Sequence, residues 1–376
     1  MNKQLGSILT AGCLMAAMVP AAFAADATMS EDAFRSAVAE GGAVTMTGDV
    51  TLNSTLEIKD GVTINGNGYT ITYTPNTQTY AIDVQTNEPV TFQNVTIDAT
   101  AGSMTSGISV QNCVPDLTLD GTTVNVKRWG IAFNPTGDGA ELNVVNQSVI
   151  QNKRVSNYER EAAYGDYRGI SLYDTTAAHV NVDNSIIQGF GYTVNLTGTL
   201  DDDDTTDFKG TVIDVNRSKL MGWTAFNIWT CNTVFNITDS ELRGINGSNG
   251  SSDGFAAVVL NDNIYGNLET PLYNTLTFTG GSIGGYKYGT ASEGLIRAGN
   301  QLETYIAFVE SDDTGKVYFK SNVPNSHFTF TGDLTPNEIE NYLYVSQKVT
   351  GVENIVTQFP AAAYNGESQF SYEIIE

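Results

Sequence analysis

The sequence predicts an all-β solenoid of parallel strands, three to a turn, and three observations carry that expectation. First, an eight-residue pattern, apolar–x–apolar–x–turn residue–x–x–apolar, keeps returning. It reads VTFQNVTI at 90–97, LTLDGTTV at 117–124, LNVVNQSV at 142–149, VNVDNSII at 180–187, IDVNRSKL at 213–220, FNITDSEL at 235–242 and LTFTGGSI at 276–283. Self-similarity at such a spacing marks a stacked repeat. Second, a short apolar segment precedes each copy: AIDV at 81–84, GISV at 107–110, GIAF at 130–133, GISL at 169–172, TVNL at 193–196, AFNI at 225–228 and AVVL at 257–260. Third, the fifth position of the pattern is almost always a residue suited to a sharp bend.

Taken in order, the elements follow from alternation. In VTFQNVTI, Val90 and Phe92 alternate with Thr91 and Gln93, the period-two mark of a strand. Asn94 takes the bend, and Gly121, Asn146, Asn184, Asp239 and Gly280 stand at equivalent bends. These residue types tolerate a left-handed backbone most easily. Arg217 is the exception. Val95 and Ile97 open the next strand, and the preceding segment supplies the third. Three strands running the same way stack on their neighbours as parallel sheets, with Ile82, Ile108, Ile131, Ile170, Val194, Phe226 and Val258 in one inward column.

Both ends read differently from the repeat. Residues 1–24 have the form of an export signal: Lys3, an apolar stretch through Leu14–Val19, and small residues at Ala22 and Ala24, with cleavage expected after Ala24. A lipoprotein site at Cys13 fits less well, because the apolar run continues past it. Residues 25–48 form an N-terminal cap, in which Ser30 starts a short helix, Glu31 and Asp32 favour its positive end, and Phe34, Ala37 and Val38 give it an apolar face. The solenoid is expected over 49–323, and 324–376 forms a C-terminal cap and tail. There Thr335-Pro336-Asn337-Glu338 reads as a capping box opening a helix that brings Ile339, Tyr342 and Leu343 onto the last turn.

Composition narrows the setting. The net charge is −24 with only 18 Lys and Arg, which argues against nucleic acid and anionic membranes as partners. No segment after the signal approaches the ~20 apolar residues of a membrane span. After cleavage only Cys113 and Cys231 remain. Their equivalent places four turns apart put them roughly 19 Å from each other at ~4.8 Å per turn. A disulfide needs Cα atoms within about 7 Å, so two free, partly buried thiols are expected. Of the eight Asn-x-Ser/Thr matches, several fall on the bends, and these asparagines read as a structural ladder rather than glycan acceptors.

The repeated L-shaped pattern, the third strand and NGNGYTI at 65–71 together resemble the right-handed parallel β-helix of the pectin-lyase-like superfamily over about residues 30–325. The resemblance implies architecture more than activity, since that fold serves lyases, hydrolases, tailspikes and adhesins. Lyases with this fold commonly use Arg or Lys with calcium held by acidic residues. On that basis Lys127, Arg128 and Arg168 are candidate bases or carboxylate clamps, and Asp201, Asp202, Asp203 and Asp204 candidate calcium ligands. The acidic run lacks the glycine-punctuated spacing of a dedicated calcium loop and also reads as a solvated loop.

Chemistry is expected where turns lengthen, at 150–168, 198–210 and 261–275, all bordering the third-strand sheet. Alternation turns Ser109, Ala132, Ser171, Asn195 and Asn227 outward there, with Gln85, Gln111, Asn134, Tyr173, Thr197 and Trp229 as the next outward row. Aromatic faces stack on sugar rings and amides pair with hydroxyls, so Tyr173, Trp229, Gln111, Asn134, Asn195 and Asn227 are the candidate glycan-binding residues. A hydrolase would need paired carboxylates, for which Glu159, Glu161, Asp166 and Asp174 are available. The polygalacturonase-like set of motifs, Gly-His-Gly included, is absent. His179 and His327 show no metal-ligand spacing, and His179 reads as a surface residue. The expectation is an exported bacterial protein, extracellular, surface-bound or periplasmic. It binds a polysaccharide or cell-surface glycan without cutting it. A lyase or hydrolase of acidic polysaccharide in the same groove is the alternative.

Overall fold

The computed structural model describes residues 28–153, 167–173, 177–197, 210–229 and 233–245 and, beyond these, the strands Ala256–Leu260, Asn274–Thr279, Ser282–Tyr286, Gly294–Ala298, Thr304–Val309, Lys320–Ser321, Ser326–Thr331, Asn341–Ser346 and Phe370–Ile375. It is all-β and solenoid-like, and every described strand pairing is parallel. The first column of strands begins Gly42–Thr45, Val62–Asn65, Val90–Gln93, Asp116–Asp120, Glu141–Val145, His179–Asp183, Val212–Asn216 and Val234–Thr238. It continues through Asn274–Thr279 and Thr304–Val309 to Ser326–Thr331, forming one eleven-stranded sheet.

The second column runs Val50–Leu52, Thr70–Tyr73, Thr96–Asp98, Thr123–Val126 and Val149–Asn152. The third runs Leu56–Ile58, Tyr80–Val84, Ser106–Gln111, Ile131–Asn134 and Arg168–Tyr173. Both meet the long strand Ile186–Thr197, which pairs with Val149–Asn152 at one end and Arg168–Tyr173 at the other. Lys219–Trp229 follows it across both columns, with a bulge at Gly189 where φ is 82°. No helix of the described residues is long and apolar enough to cross a membrane.

Register places like on like. Val62, Val90, Leu117, Leu142, Val180, Ile213 and Phe235 are successive partners, all buried. The expected third-column stack is present in register from Ile82 through Ile108, Ile131, Ile170 and Val194 to Phe226 and Val258. Ile82 through Phe226 are fully buried, and Phe226 meets Phe235 edge to face at 5.2 Å, so the columns share one core.

The bends are left-handed where expected: Asn94, Gly121, Asn146, Asn184 and Asp239 have φ of 49°, 57°, 55°, 47° and 47°. Arg217 adopts φ 47° as well, despite its long side chain. Gly280 lies outside the described residues. One copy departs from the eight-residue spacing. Gln147 follows Asn146 with φ 68°, so the residue stacked on Val124 is Ile150 rather than Val149. The bend there holds two left-handed residues.

Behind the bends runs a feature that alternation did not show. Thr122, Ser148, Ser185, Ser218 and Ser240 are all buried one step past the bend. Ser148 Oγ accepts from Thr122 N–H at 3.0 Å, and Ser218 Oγ accepts from Ser185 N–H at 3.0 Å. Ser218 Oγ also donates to the Val182 carbonyl at 3.2 Å. These hydroxyls satisfy backbone groups at corners where sheet bonding stops.

The N-terminal helix spans Glu31–Ala39, capped by Ser30, with Phe34 and Val38 buried. The C-terminal expectation is corrected. Tyr342 and Leu343 lie in a strand, Asn341–Ser346, which pairs in register with Phe370–Ile375 and at Tyr344 and Val345 with Lys320–Ser321. Aromatic and β-branched residues alternate there, and pairing with a distant segment outweighs a local capping signal. The capping box itself, 335–338, and the export signal lie outside the described residues. Cys113 is a free, buried thiol, its Sγ 3.3 Å from the Val84 carbonyl; burial pushes its ionisation up. Cys231 lies outside the described residues.

Candidate functional site

The corner leading into the third column fixes the site. Gly130 N–H donates to the Arg168 carbonyl at 2.8 Å, and Gly107 N–H to the Trp129 carbonyl at 2.8 Å. A Cβ at Gly130 would stand 2.5 Å from the Gly169 carbonyl oxygen, so the chain passes only as glycine. Two residues before each inward apolar residue comes a row, Tyr80, Ser106, Trp129, Arg168 and Tyr192, of which the sequence reading singled out only Arg168. Tyr80 pairs in register with Ser106, and Arg168 with Tyr192.

From this row Arg168 reaches the outer face: its Nη1 donates to Ser171 Oγ at 3.1 Å. The row Ser109, Ala132, Ser171, Asn195 and Asn227, expected to face an open groove, is instead buried, each residue at 4% exposure or less. Asn227 Nδ2 donates to Asn195 Oδ1 at 2.8 Å, so these two candidates hold each other instead of facing solvent.

The next row keeps its place. Gln111 is exposed and Asn134, its register partner, half-exposed. Tyr173, Thr197 and Trp229 follow in register on successive strands. The side chains of Tyr173 and Trp229 lie outside what is described.

Of the basic candidates, Arg128 and Arg168 both lie against the Trp129 ring. The Arg128 guanidinium carbon stands 4.6 Å from the centre of the Trp129 ring, and that of Arg168 5.0 Å from the same ring. With its amide oxygen turned toward Arg128, Gln78 accepts from both Nη1 and Nη2 at 3.2 Å. Tyr80 sits in the field of both arginines and of Asp83. Burial nevertheless pushes its phenol above the ordinary value, so it stays protonated at neutral pH. Lys127 is half-exposed, and no bond or ion pair draws it into this cluster among the described residues. Asp166, Asp174 and the run Asp201, Asp202, Asp203 and Asp204 lie outside the described residues, as do Glu159 and Glu161.

His179 is on the first column, away from this face, with Nε2 2.7 Å from Asp214 Oδ2, partnered at the surface as its sequence position indicated. No family model, curated protein or solved structure matches the chain.

Proposed function

We propose that this is an exported, surface-associated or secreted bacterial protein, a right-handed parallel β-helix of three strands per coil in the manner of the pectin-lyase-like superfamily, and that it binds glycan on its third sheet without cutting it. The observation that carries the reading is the pairing of two rows on one face. A line of half-buried rings and guanidinium groups, Tyr80, Trp129, Arg168 and Tyr192, runs beside an amide and hydroxyl line, Gln111, Asn134 and Thr197. Sugars present apolar ring faces and hydroxyl edges, which such a surface meets on both counts. Tyr173 and Trp229 stand two strands apart in the second line, at roughly 9.6 Å, and supply its stacking rings.

A lyase acting on polyuronates is the second reading, favoured by Arg128 and Arg168 both lying against Trp129, with calcium on Asp201–Asp204. Proton removal there needs a group that gives up its own proton near neutrality. Burial pushes the Tyr80 phenol upward, so it stays protonated and does not supply such a group. The test is retention of the mature protein on a panel of immobilised polysaccharides, with mass spectrometry of the soluble phase with and without calcium. Expected are retention by at least one polymer, loss of about tenfold or more in affinity in Tyr173→Ala/Trp229→Ala, and no fragments. Fragments short of one water would replace this reading with the lyase. Unchanged retention in the double variant would remove the stacking role.

A further inference from the structure

We propose that Asp83, with Ser109 beside it, receives the ammonium group of an amino sugar, so that the glycan held on the third sheet is one carrying free amines. The proposal rests on the glycan reading and adds the charge class of the ligand.

Glu57, Asp83 and Ser109 are register partners on successive strands of the third column, and each stands between two buried apolar residues. Alternation therefore sends all three side chains to the outer face. Like charges on adjacent strands, ~4.8 Å apart, repel each other, and a cation relieves them. Glu57 has one, with Lys59 Nζ 2.6 Å from its Oε2. Asp83 has no ion pair among the described residues. Its Oδ2 accepts from the neutral Gln85 amide at 2.7 Å, and its Oδ1 accepts from none of them. Arg128, a cation of the same face, is turned to Trp129 and Gln78 instead. The Asp83 charge reaches the residues behind it: burial first, and Asp83 after it, push the Cys113 thiol upward.

Ser109 supplies a second, independent sign. It is 1% exposed, and its Oγ has no hydrogen-bond partner. A hydroxyl withdrawn from water and left unpaired is costly, and the buried hydroxyls at the bends are all bonded to backbone. A primary ammonium suits both groups. It brings three donors on one charge: one for Asp83 Oδ1, one for the Ser109 oxygen and one for water. Asp83 is half-exposed, which opens the place to solvent, and the amide line of Gln111 and Asn134 continues from it on the next strands to meet the sugar's hydroxyls. A calcium ion, which takes about six to eight oxygens, suits it less. No group of three metal-ligating side chains assembles among the described residues. An N-acetylated sugar brings a single N–H and no charge, and leaves Asp83 unanswered.

The measurement is calorimetric binding of the full mature chain to short oligomers of glucosamine and of N-acetylglucosamine, equal in length, at physiological salt. Expected is binding of the amine-bearing oligomer about tenfold or more tighter, and a loss of about tenfold in Asp83→Asn. A net charge of −24 draws any cation, so Asp239→Asn is the reference. It removes the same charge at an exposed bend between the first two columns, and affinity there should stay within about twofold of the wild type. Ser109→Ala should lower affinity about threefold with the melting midpoint unchanged or higher, because it deletes an unpaired buried hydroxyl; it serves should Asp83→Asn fail to fold. Unchanged affinity in either folded variant overturns the proposal, as do equal losses in Asp83→Asn and Asp239→Asn. The two oligomers bound alike, or neither bound while another polymer of the wider panel is retained, overturn it and leave the glycan reading intact. Failure of the oligomers and of the whole panel removes both together.

Discussion

Arg217 sets two opposing effects on one residue. Its φ of 47° belongs to a backbone region that costs an ordinary L-residue ~1–2 kcal/mol, which Asn and Gly escape in large part. Asn94, Asn146 and Asn184 occupy the same bend in other copies. Against that cost stands a bidentate pair, Arg217 Nη2 to both Asp183 oxygens at 2.7 Å, and Asp183 holds the guanidinium's ionisation above its usual value. Arg217 is 66% exposed in that pair, so the contact contributes little and is screened by salt. Arg217→Asn should therefore stabilise the protein by about 0.5–1 kcal/mol in 1 M NaCl, with a smaller gain at low salt. Thermal melting at the two salt concentrations decides it; a lower midpoint for the variant in 1 M NaCl would show that the bend is not strained.

At the scale of elements, the N-terminal helix is held by side chains rather than by length. Nine residues make a marginal helix in isolation. Arg35 ties it to the Ser54 and Thr55 carbonyls at 2.6 and 3.0 Å, while Glu31 accepts from Arg35 and from the Asn53 backbone and amide. Partial burial pushes the Glu31 carboxyl upward, but these hydrogen bonds and the Arg35 charge outweigh it and hold the group below the usual carboxylate range. A depressed folded value means that the contribution is fully present above the unfolded value of about 4.3 and is lost as pH falls through the folded one. Glu31→Gln should thus melt below the wild type at pH 7, by an amount worth about 0.2–1 kcal/mol, with the gap closing under pH ~4. A gap that stays constant from pH 7 to 3 would rule the carboxylate out as the fastener. The same helix was legible in sequence because its signals are local: Ser30 before it, Glu31 and Asp32 in its first turn, Phe34 and Val38 on one face. The C-terminal strands were not, since Tyr342 and Leu343 owe their state to Phe370–Ile375, a partner that no local pattern announces. The aromatic members of the corner row, Tyr80, Trp129 and Tyr192, stayed hidden for another reason. They precede the inward apolar residues at corners, where alternation lapses, and Arg168, named from sequence, reaches Ser171 on its own strand from such a corner.

Across the described strands, most meet the one before and the one after in their column, while Ile186–Thr197 and Lys219–Trp229 bridge two columns, and that order governs how damage spreads. In a stack of this kind stability is close to a sum of local terms and neighbour interfaces, so a defect weakens its neighbours first. Ile131 is a suitable probe: fully buried, in register with Ile108 on one side and Ile170 on the other, and far from either end of the third column. Ile131→Ala removes a packed side chain from a place where the sheets prevent collapse around the gap, for a cost of about 2–5 kcal/mol. Native-state hydrogen exchange should show the largest loss of protection in Ser106–Gln111, Ile131–Asn134 and Arg168–Tyr173. Val50–Leu52 and Leu56–Ile58, near the start of the stack, should keep theirs, because helix Glu31–Ala39 buries Phe34 and Val38 against that end. Uniform loss of protection from Val50 onward would instead describe a single cooperative unit, in which the repeated geometry does not divide the stability of the chain. The outcome also bears on the ligand face, since Trp129 and Arg168 hang from the two corners that flank Ile131. A local opening there would release the Arg128 guanidinium from its ring while the first column stayed closed.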